Sequence, residues 1–355
     1  METLTQNLKI KKIAQTRIHE VDFDNLKFGR TFSDHMVVIT YENGAWSNGE
    51  VVPFDYLPMN PATLVLHYGQ AIFEGMKAEK TADGKVVMFR PELNARRFNR
   101  SAIRMAMPEI PEEVYVNSLM TLLDIDRDWI PTKEGSSLYM RPFMYAADEF
   151  IGVQPSSTYK FIIFTCPVGA YYSKPVNVFI EEHYSRAASG GTGFAKAAGN
   201  YAGSLYPAQL AKANGYDQIM WTDSEEHKYI QEAGTMNLFF VIDDKVITPE
   251  LNDCILPGTT RQTIIELYKE DGIVVEERKI SVDEVFAASE NGTLQDVFGA
   301  GTAAVVTYVA SIGKEGMKIE LPPIGERTYS TNMKKKLTDI KKGITPDTRD
   351  WLLKF

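Results

Sequence analysis

The chain has 355 residues, of which 44% are hydrophobic and 24% charged, a balance that excludes disordered, collagen-like and disulfide-scaffold proteins. Its length predicts two domains with room for a sizeable buried core. With 47 acidic and 38 basic residues the formal net charge is −9, which disfavours nucleic acid and anionic membranes as partners.

The cysteine content and the start of the chain indicate a cellular compartment. Cys166 and Cys254 show no short-range pairing motif, which fits a reducing cytosol better than a secreted context. Residues 2–7 are mostly polar, and no apolar run approaches the roughly 18 residues of a membrane span. We therefore expect a cytoplasmic protein without a membrane anchor.

The first half of the chain combines strands and helices. The apolar run at 36–41 predicts a strand that ends in the turn Glu42-Asn43-Gly44. Helical patterns follow at 92–105 and 111–129, and strands return at 137–146 and 159–166. Proline and glycine after this last run indicate a boundary. We predict a small N-terminal α/β domain at 1–170 and an interdomain loop at 171–177.

The second half is also mixed and predicts a larger C-terminal domain at 178–355. Strand patterns at 176–180, 217–221 and 238–242 alternate with helical patterns at 204–214 and 260–270. Dense strand content without regular βαβ spacing argues against a Rossmann or barrel fold. The expected class is α/β or α+β.

A first candidate for chemistry is Lys196, which lies among small residues in the segment 189–201. A lysine in such surroundings loses solvation, which favours the free amine that can attack a carbonyl and form a Schiff base. The alternative for this segment alone is a glycine-rich surface turn with a solvated lysine.

A second candidate is Glu232, at the end of an apolar strand pattern that precedes the Gly234-Thr235 turn. A buried carboxylate needs a cationic partner. The protonated pyridine nitrogen of a pyridoxal cofactor is one such partner. A solvated hairpin glutamate is the alternative.

Two turns form a third candidate, at 256–261 (LPGTTR) before a helix and at 299–304 (GAGTAA) after a strand. A helix N-terminus with threonine hydroxyls binds phosphate, because its unpaired amides and dipole favour an anion. Thr259 or Thr260 could equally serve as a helix cap. Neither turn matches a Walker A or GxGxxG pattern, so nucleotide binding is not expected.

A fourth set lies in the first half, in the segments 66–75 (LHYGQAIFEG) and 137–142 (SLYMRP) and at the helix arginines near Arg97. At least one of these arginines could face a buried anion, although helix arginines usually carry surface charge. His67 and Tyr68 could equally be core aromatics. The five histidines are scattered singly, without metal-ligand spacing, so no metal site is expected.

These four sets, in this order, resemble the branched-chain amino acid aminotransferases, which are pyridoxal-phosphate enzymes of fold type IV. The resemblance runs from 28–36 (FGRTFSDHM) to 347–351 (DTRDW). It implies an α/β (α+β) fold of two domains with the cofactor cleft at their interface. It also implies pyridoxal 5'-phosphate as cofactor and a homodimer.

The resemblance assigns roles to residues of this chain. Lys196 is similar to the Schiff-base lysine, Tyr201 to the partner of the cofactor's phenolic oxygen, and Glu232 to the partner of its pyridine nitrogen. Phosphate ligands would be Arg97, Thr259, Thr260 and Thr302. Leu256 and Gly258 would belong to the same cofactor turn, and Thr235 would lie beside Glu232 at the active-site face. Substrate would be bound by Phe28, Tyr68, Phe73, Tyr139, Arg141, Tyr171 and Ala303, with Ile151 and Val153 reaching from the partner subunit.

The implied reaction is a reversible ping-pong transamination between L-leucine, L-isoleucine or L-valine and 2-oxoglutarate, with glutamate as the second product. The freed amine of Lys196 would move the substrate Cα proton. One methylene in an apolar pocket is worth only about 1–3 kcal/mol, so all three amino acids should be accepted. Some eukaryotic relatives carry a redox Cys-x-x-Cys pair where this chain has Ala304 and Thr307, so we expect no thiol switch.

Two alternatives share parts of the pattern. A D-amino acid transaminase or an aminodeoxychorismate lyase would share the lysine and the phosphate turns, but the Phe28 segment and Tyr139-Met140-Arg141 favour the branched-chain interpretation. A non-catalytic pyridoxal-phosphate carrier would not need Tyr68, Tyr139 and Arg141.

Overall fold

The computed structural model describes residues 8–81, 83–169, 174–302 and 305–355. The strands in these ranges are β1 Lys9–Ile10, β2 His35–Glu42, β3 Ala45–Trp46, β4 Glu50–Pro53, β5 Ala71–Phe73, β6 Met76–Lys80, β7 Val86–Phe89, β8 Ser137–Ala146, β9 Tyr159–Val168, β10 Val176–Glu181, β11 Gln218–Thr222, β12 Ile230–Ala233, β13 Met236–Ile242, β14 Lys245–Thr248, β15 Val275–Glu277, β16 Leu294–Gly301, β17 Val305–Lys314, β18 Met317–Glu320 and β19 Leu352–Lys354. The α-helices are α1 Leu64–Tyr68, α2 Pro91–Arg104, α3 Glu112–Ile125, α4 Ala198–Ala202, α5 Leu205–Ala213, α6 Thr259–Glu270, α7 Val282–Glu290 and α8 Thr328–Lys341. Short 3-10 turns lie at Ile18–Glu20, Arg127–Trp129 and Ile324–Glu326.

The chain divides into two compact units. The first consists of Met1–Tyr171, Ala195–Gly199 and Ile340–Phe355, and the second of Tyr172–Phe194 and Asn200–Asp339. Two short stretches of the second half of the chain therefore belong to the first unit, and one of them contains Lys196. The boundaries at 1–170, 171–177 and 178–355 stay a prediction.

The first unit is built on one sheet with the strand order β1-β4-β2-β9-β8-β6-β7-β19, with β3 on β2 and β5 on β8. Its centre is the antiparallel pair β8 and β9, which stay in register from Ser137 opposite Val168 to Ala146 opposite Tyr159. Apolar residues of α2 and α3, including Phe98 and Leu119, are fully buried in the core with these strands. The sequence predicted both strands, and β9 continues two residues further than expected.

Local sequence explains the first hairpin and the two helices. Asn43 and Gly44 both adopt positive φ, as the tight turn between paired antiparallel strands requires, so the predicted turn is confirmed. Pro91 opens α2 at a position where its missing N–H costs nothing. The helix predicted at 111–129 ends earlier, at Ile125, and a separate 3-10 turn at Arg127–Trp129 follows it. There the carboxylate of Asp126 accepts a hydrogen bond from the backbone N–H of His35.

The second unit has the strand order β12-β11-β10-β17-β16-β13-β14-β15, with β18 on β17. An additional pairing joins β12 to β13 and closes six strands into a ring. The expectation of no barrel was therefore wrong for this unit. The absence of regular βαβ spacing excludes only barrels made of βαβ units, whereas hairpins such as β12–β13 and β16–β17 can close a ring without crossover helices.

Candidate active site

Lys196 is tied into the first unit through its backbone. Its N–H donates to Oγ of Ser101 at 2.9 Å, and its carbonyl accepts from the N–H of Phe73 at 3.0 Å. The neighbour Ala197 forms a β-bridge with Ile72. The side chain is partly buried, and Nζ lies 4.8 Å from the centre of the Phe73 ring. The glycine-rich segment thus fixes the lysine and does not form a solvated surface turn at this residue.

A buried ion pair that the sequence analysis missed lies beside this lysine. Glu74 has no exposed surface, and its carboxylate oxygens accept from Nε and Nη2 of Arg97 at 2.7 Å and 2.8 Å. Asn94 donates to the same carboxylate at 2.9 Å. Burial raises the pKa of Glu74, but the charge and hydrogen bonds of Arg97, followed by the charge of Lys196, hold that pKa below its usual range.

The pair with Glu74 fixes the orientation of Arg97, which is a predicted phosphate ligand. Its guanidinium is buried, and a bidentate pair with a carboxylate fixes both its plane and its direction. Of the three clustered arginines on α2, Arg96 is instead exposed and pairs with Glu112 at the surface. The signal that could have indicated Glu74 is its charge within the otherwise apolar run 71–76.

The predicted substrate residues Tyr139 and Arg141 lie together on strand β8. Nη2 of Arg141 donates to the Tyr139 hydroxyl at 3.0 Å, and its Cζ lies 4.7 Å from the centre of the Phe73 ring. Phe28 packs edge-on against Tyr139 at 5.0 Å between ring centres. A side chain at Gly75 would overlap the Tyr139 hydroxyl. The structure therefore brings Phe28, Phe73, Tyr139 and Arg141 into one cluster with Lys196.

Arg141 carries a feature typical of an anion-binding residue. Its Nε atom is buried and has no hydrogen-bond partner among the described residues. An unpaired buried donor costs about 1–3 kcal/mol, and an acceptor supplied by a ligand would remove that cost. A carboxylate is one of the acceptors whose geometry matches a guanidinium.

Other predicted substrate residues are not brought into this cluster. Tyr68, at the end of α1, is 41% exposed, and Ile151 and Val153 are 71% and 87% exposed. Tyr171 and Ala303 lie outside the described residues. Ile151 and Val153 therefore expose apolar side chains at the surface of this chain.

In the second unit Glu232 is buried in β12 and has two partners from other segments of the chain. Its Oε1 lies 3.1 Å from Nε of Arg186, and its Oε2 accepts from the N–H of Leu256 at 3.0 Å. Arg186 in turn donates to the carbonyls of Gly193 and Cys254. The alternative of a solvated hairpin glutamate is thus excluded. Arg186, whose side chain is only 6% exposed, is a residue of this site that was not predicted from the sequence.

The turn before α6 has the features of an anion site. Gly258 is the N-cap and makes no side-chain cap hydrogen bond, whereas Thr259 and Thr260 are the first two residues of the helix, so the cap role considered for them is not observed. The N–H groups of Thr259, Thr260 and Arg261 precede the first helical hydrogen bond, from Gln262 to Gly258. Such amides favour an anion.

Asn237 fixes this turn against the sheet. Its Nδ2 donates to the carbonyl of Leu256 at 2.9 Å, and a side chain at Gly258 would overlap its Oδ1. Asn237 also pairs with Glu232 across the β12–β13 hairpin. The glutamate and the candidate phosphate turn are therefore held at the same end of these strands.

The remaining predicted cofactor residues lie near this end or on the helix after the lysine. A Cβ at Gly301 would lie 3.2 Å from the carbonyl oxygen of Thr235, so the β12–β13 turn lies next to the strand end that leads into Thr302. Tyr201 lies in α4 and is partly buried. In the described chain Val305, after the Thr302 turn, adopts a positive φ of 57°, which is rare for a β-branched residue.

Neither a metal-binding cluster nor a membrane-spanning helix is found in the part of the chain that the structure describes. Within residues 8–81, 83–169, 174–302 and 305–355, no group of three histidine, cysteine, aspartate or glutamate side chains is arranged to hold a metal ion. In the same ranges, no helix combines the length and apolarity that crossing a membrane requires.

Comparison with known proteins places this geometry in context. The family model described as Amino-transferase class IV matches residues 71–312. The chain is 44% identical to the branched-chain-amino-acid transaminase 1 of Bacillus subtilis, over 93% of this chain and 94% of that protein. It is similar in structure to the branched-chain amino acid aminotransferase of Escherichia coli, with a TM-score of 0.74 and 27% identity over 90% of this chain and 98% of that one.

A further solved structure is similar at a comparable level. It is a T.th. branched-chain amino acid aminotransferase complexed with N-(5'-phosphopyridoxyl)-L-glutamate. The TM-score is 0.70 and the identity 25%, covering 89% of this chain and 97% of that one.

Proposed function

Because the chain belongs to the class IV aminotransferases, and among them to the branched-chain enzymes, we propose that it transfers the amino group of L-leucine, L-isoleucine or L-valine to 2-oxoglutarate. The observation that supports this most strongly is the position of two basic side chains against one aromatic ring. Nζ of Lys196 and Cζ of Arg141 lie 4.8 Å and 4.7 Å from the centre of Phe73. The candidate nucleophile and the candidate carboxylate-binding group thus contact the same side chain.

The residues present fit pyridoxal 5'-phosphate as the cofactor. The open N–H groups at the start of α6 and the hydroxyls of Thr259 and Thr260 match a phosphate. The buried carboxylate of Glu232 matches a protonated ring nitrogen. Lys196 matches the amine that would hold the cofactor covalently. When bound, the cofactor supplies an electron sink for negative charge at the substrate Cα.

The side chains around Lys196 define what this chain contributes to the reaction. Arg141 would bind the substrate carboxylate, because its Nε lacks a partner among the described residues and its Nη2 is already oriented by Tyr139. The Phe73 ring lies against the Lys196 amine and gives it an apolar neighbour. Once free of the cofactor, Nζ would accept the Cα proton as a general base and return it at a neighbouring atom.

We propose a ping-pong sequence with glutamate as the second amino acid. The T.th. relative complexed with a phosphopyridoxyl derivative of L-glutamate supports this assignment. The aromatic cluster of Phe28, Phe73 and Tyr139 supports an apolar side-chain pocket for the first amino acid. An apolar pocket discriminates weakly between chains that differ by one methylene, so all three branched-chain substrates should react.

We further propose that the active form is a homodimer. Exposed apolar side chains, including Tyr56, Leu66, Ile151 and Val153, lie on two segments of the first unit. A hydrogen bond of 2.9 Å from Asn60 to Glu149 holds these segments together. Several large apolar side chains exposed on adjoining segments favour an interface. A double substitution of Ile151 and Val153 by aspartate should shift the mass measured by light scattering from dimer to monomer.

A cytoplasmic location is part of the proposal. The two cysteines, Cys166 and Cys254, are free thiols in the structure, which fits a reducing compartment. Fluorescence of a tagged chain in intact cells tests this location, and secretion into the medium would contradict it.

The proposed activity is tested by a coupled assay of glutamate formation. Purified protein with pyridoxal 5'-phosphate is given 2-oxoglutarate and, separately, L-leucine, L-isoleucine, L-valine and D-alanine. We expect turnover with the three branched-chain amino acids and visible absorbance of the bound cofactor. Turnover with D-alanine alone would favour a D-amino acid transaminase, and a colourless protein that does not bind the cofactor would refute the proposal.

A further inference from the structure

Helix α2 presents three buried polar side chains on one face. Asn94, Arg97 and Ser101 are spaced by three and four residues and are 4%, 5% and 1% exposed. Buried polar groups are costly unless they are hydrogen-bonded. Asn94 and Arg97 both donate to Glu74, and Ser101 accepts from the N–H of Lys196. Each of the three therefore bonds a residue outside the helix.

The Ser101 hydroxyl makes two hydrogen bonds in opposite directions. It donates to the carbonyl of Arg97 at 3.0 Å, which is a common bond of a serine within a helix. It also accepts from the backbone N–H of Lys196 at 2.9 Å. The first bond holds the hydroxyl proton inside the helix and leaves an oxygen lone pair for the lysine.

The carbonyl side of Lys196 is connected to the same helix by a second route. That carbonyl accepts from Phe73, whose neighbour Glu74 is bound to Arg97 and Asn94. The N–H of Lys196 is thus bonded directly to α2, and its carbonyl is connected to α2 through Phe73 and Glu74. The helix that carries Arg97 also fixes the peptide from which the Lys196 side chain extends.

We propose that Ser101 is a positioning residue for Lys196, and that Glu74 is the matching positioning residue for Arg97. This inference rests on the proposed function, because it assigns what holds the cofactor-linking amine and the phosphate ligand. Loss of the Ser101 hydroxyl would release the Lys196 peptide and displace Nζ at the end of its four-carbon chain. A displacement of about 1 Å is enough to impair a reaction at that atom.

The affinities for two forms of the cofactor distinguish the role of Ser101 from the role of Glu74. Pyridoxal 5'-phosphate can link to the lysine, whereas pyridoxamine 5'-phosphate cannot, so its affinity reports only the phosphate and ring contacts. For Ser101→Ala we expect the affinity of the apoenzyme for pyridoxal 5'-phosphate to fall about tenfold, because the displaced amine links to the cofactor less favourably. Its affinity for pyridoxamine 5'-phosphate should stay within about twofold of wild type. For Glu74→Gln, both affinities should fall.

Three variants serve as controls in the same titrations. Ser101→Cys keeps the volume but is a weak acceptor, so it should behave like Ser101→Ala and decides the question if the alanine variant does not fold. Ser101→Thr keeps the hydroxyl and should retain the wild-type ratio of the two affinities. Ser118→Ala removes a hydroxyl from α3, another buried helix of the same unit, and should leave both affinities unchanged.

The outcomes distinguish this inference from the proposed function. A loss confined to pyridoxal 5'-phosphate in Ser101→Ala and Ser101→Cys would support the positioning role. Equal weakening of both cofactor forms, or no weakening, would overturn it while the proposed function stands. If the wild-type chain binds neither form, the proposed function itself is refuted.

Discussion

The Nε and Nη2 atoms of Arg97 lie 2.7 Å and 2.8 Å from the two carboxylate oxygens of Glu74, in a pair removed from solvent. A buried pair of this kind holds a guanidinium in one orientation, but it becomes a liability when one partner is lost. The same helix face binds the backbone of Lys196. Stability and the candidate site of the first unit therefore depend on one set of contacts.

The ion pair of Glu74 gives a prediction for stability. Glu74→Ala should lower the free energy of unfolding by about 3–5 kcal/mol, because it leaves the charge of Arg97 buried without a partner. Denaturant unfolding of the apo chain measures this loss. Glu112→Ala removes a surface partner of Arg96 at 3.2 Å and should change stability by at most about 1 kcal/mol. Equal effects of the two substitutions would contradict the account.

Arg141 gives a prediction for substrate binding. Arg141→Lys should raise KM for L-leucine strongly and lower kcat/KM about a hundredfold, because an ammonium cannot reproduce a bidentate carboxylate contact. Tyr139→Phe removes the hydroxyl that accepts from Arg141 and should have a smaller effect in the same direction. Steady-state kinetics measure both. A fall in kcat with unchanged KM in Arg141→Lys would argue against carboxylate binding.

The turn before α6 gives a prediction for cofactor binding. Gly258→Ala should weaken the binding of pyridoxal 5'-phosphate, because the new methyl group would overlap Oδ1 of Asn237 and displace the turn. Equilibrium titration of the apoenzyme measures the effect. Gly325→Ala is the matched control, since a Cβ there meets no atom of the described residues within 4 Å. Wild-type cofactor affinity in Gly258→Ala would show that the turn does not hold the phosphate.

The cysteines give a prediction for redox behaviour. Burial raises the pKa of the Cys166 thiol to about 11, and burial also raises the pKa of Cys254. At pH 8 only about one Cys166 thiol in a thousand is then the reactive thiolate. We expect slow labelling by thiol reagents in the folded protein, rapid labelling after unfolding, and activity that survives mild peroxide. Inactivation reversed by dithiols and traced to either cysteine would contradict this.

Much of the secondary structure follows from local sequence. The Asn43-Gly44 turn and the helix α2 formed as expected, because positive φ at the turn and apolar spacing along the helix are properties of short segments. The ring of strands in the second unit could not be predicted in this way. It depends on pairings such as β10 with β17, between segments more than 120 residues apart.

In the candidate site, too, local sequence indicates some residues, whereas others are identified only by contacts between distant segments. Lys196 could be singled out because it stands among small residues, and Glu232 because it ends an apolar strand pattern, whereas only the family resemblance distinguishes Arg97 from the arginines beside it. Glu74 carries a similar signal, its charge within the apolar run 71–76. Ser101 and Arg186 carry none, because hydrogen bonds between distant segments leave no spacing pattern in the sequence. The exposure of Ile151 and Val153 was visible only in the structure, although the family resemblance had assigned them to a partner subunit.

The most direct test of the central claim is a half-reaction without acceptor. Wild-type protein saturated with pyridoxal 5'-phosphate is mixed with L-leucine alone, and the 2-oxo acid released is counted per chain, beside Lys196→Ala and the exposed-lysine control Lys335→Ala. We predict about one equivalent of 2-oxo acid from wild type and from Lys335→Ala, and none from Lys196→Ala. Stoichiometric release by Lys196→Ala, or no release by the wild-type protein, would contradict the assignment of Lys196 as the reacting amine.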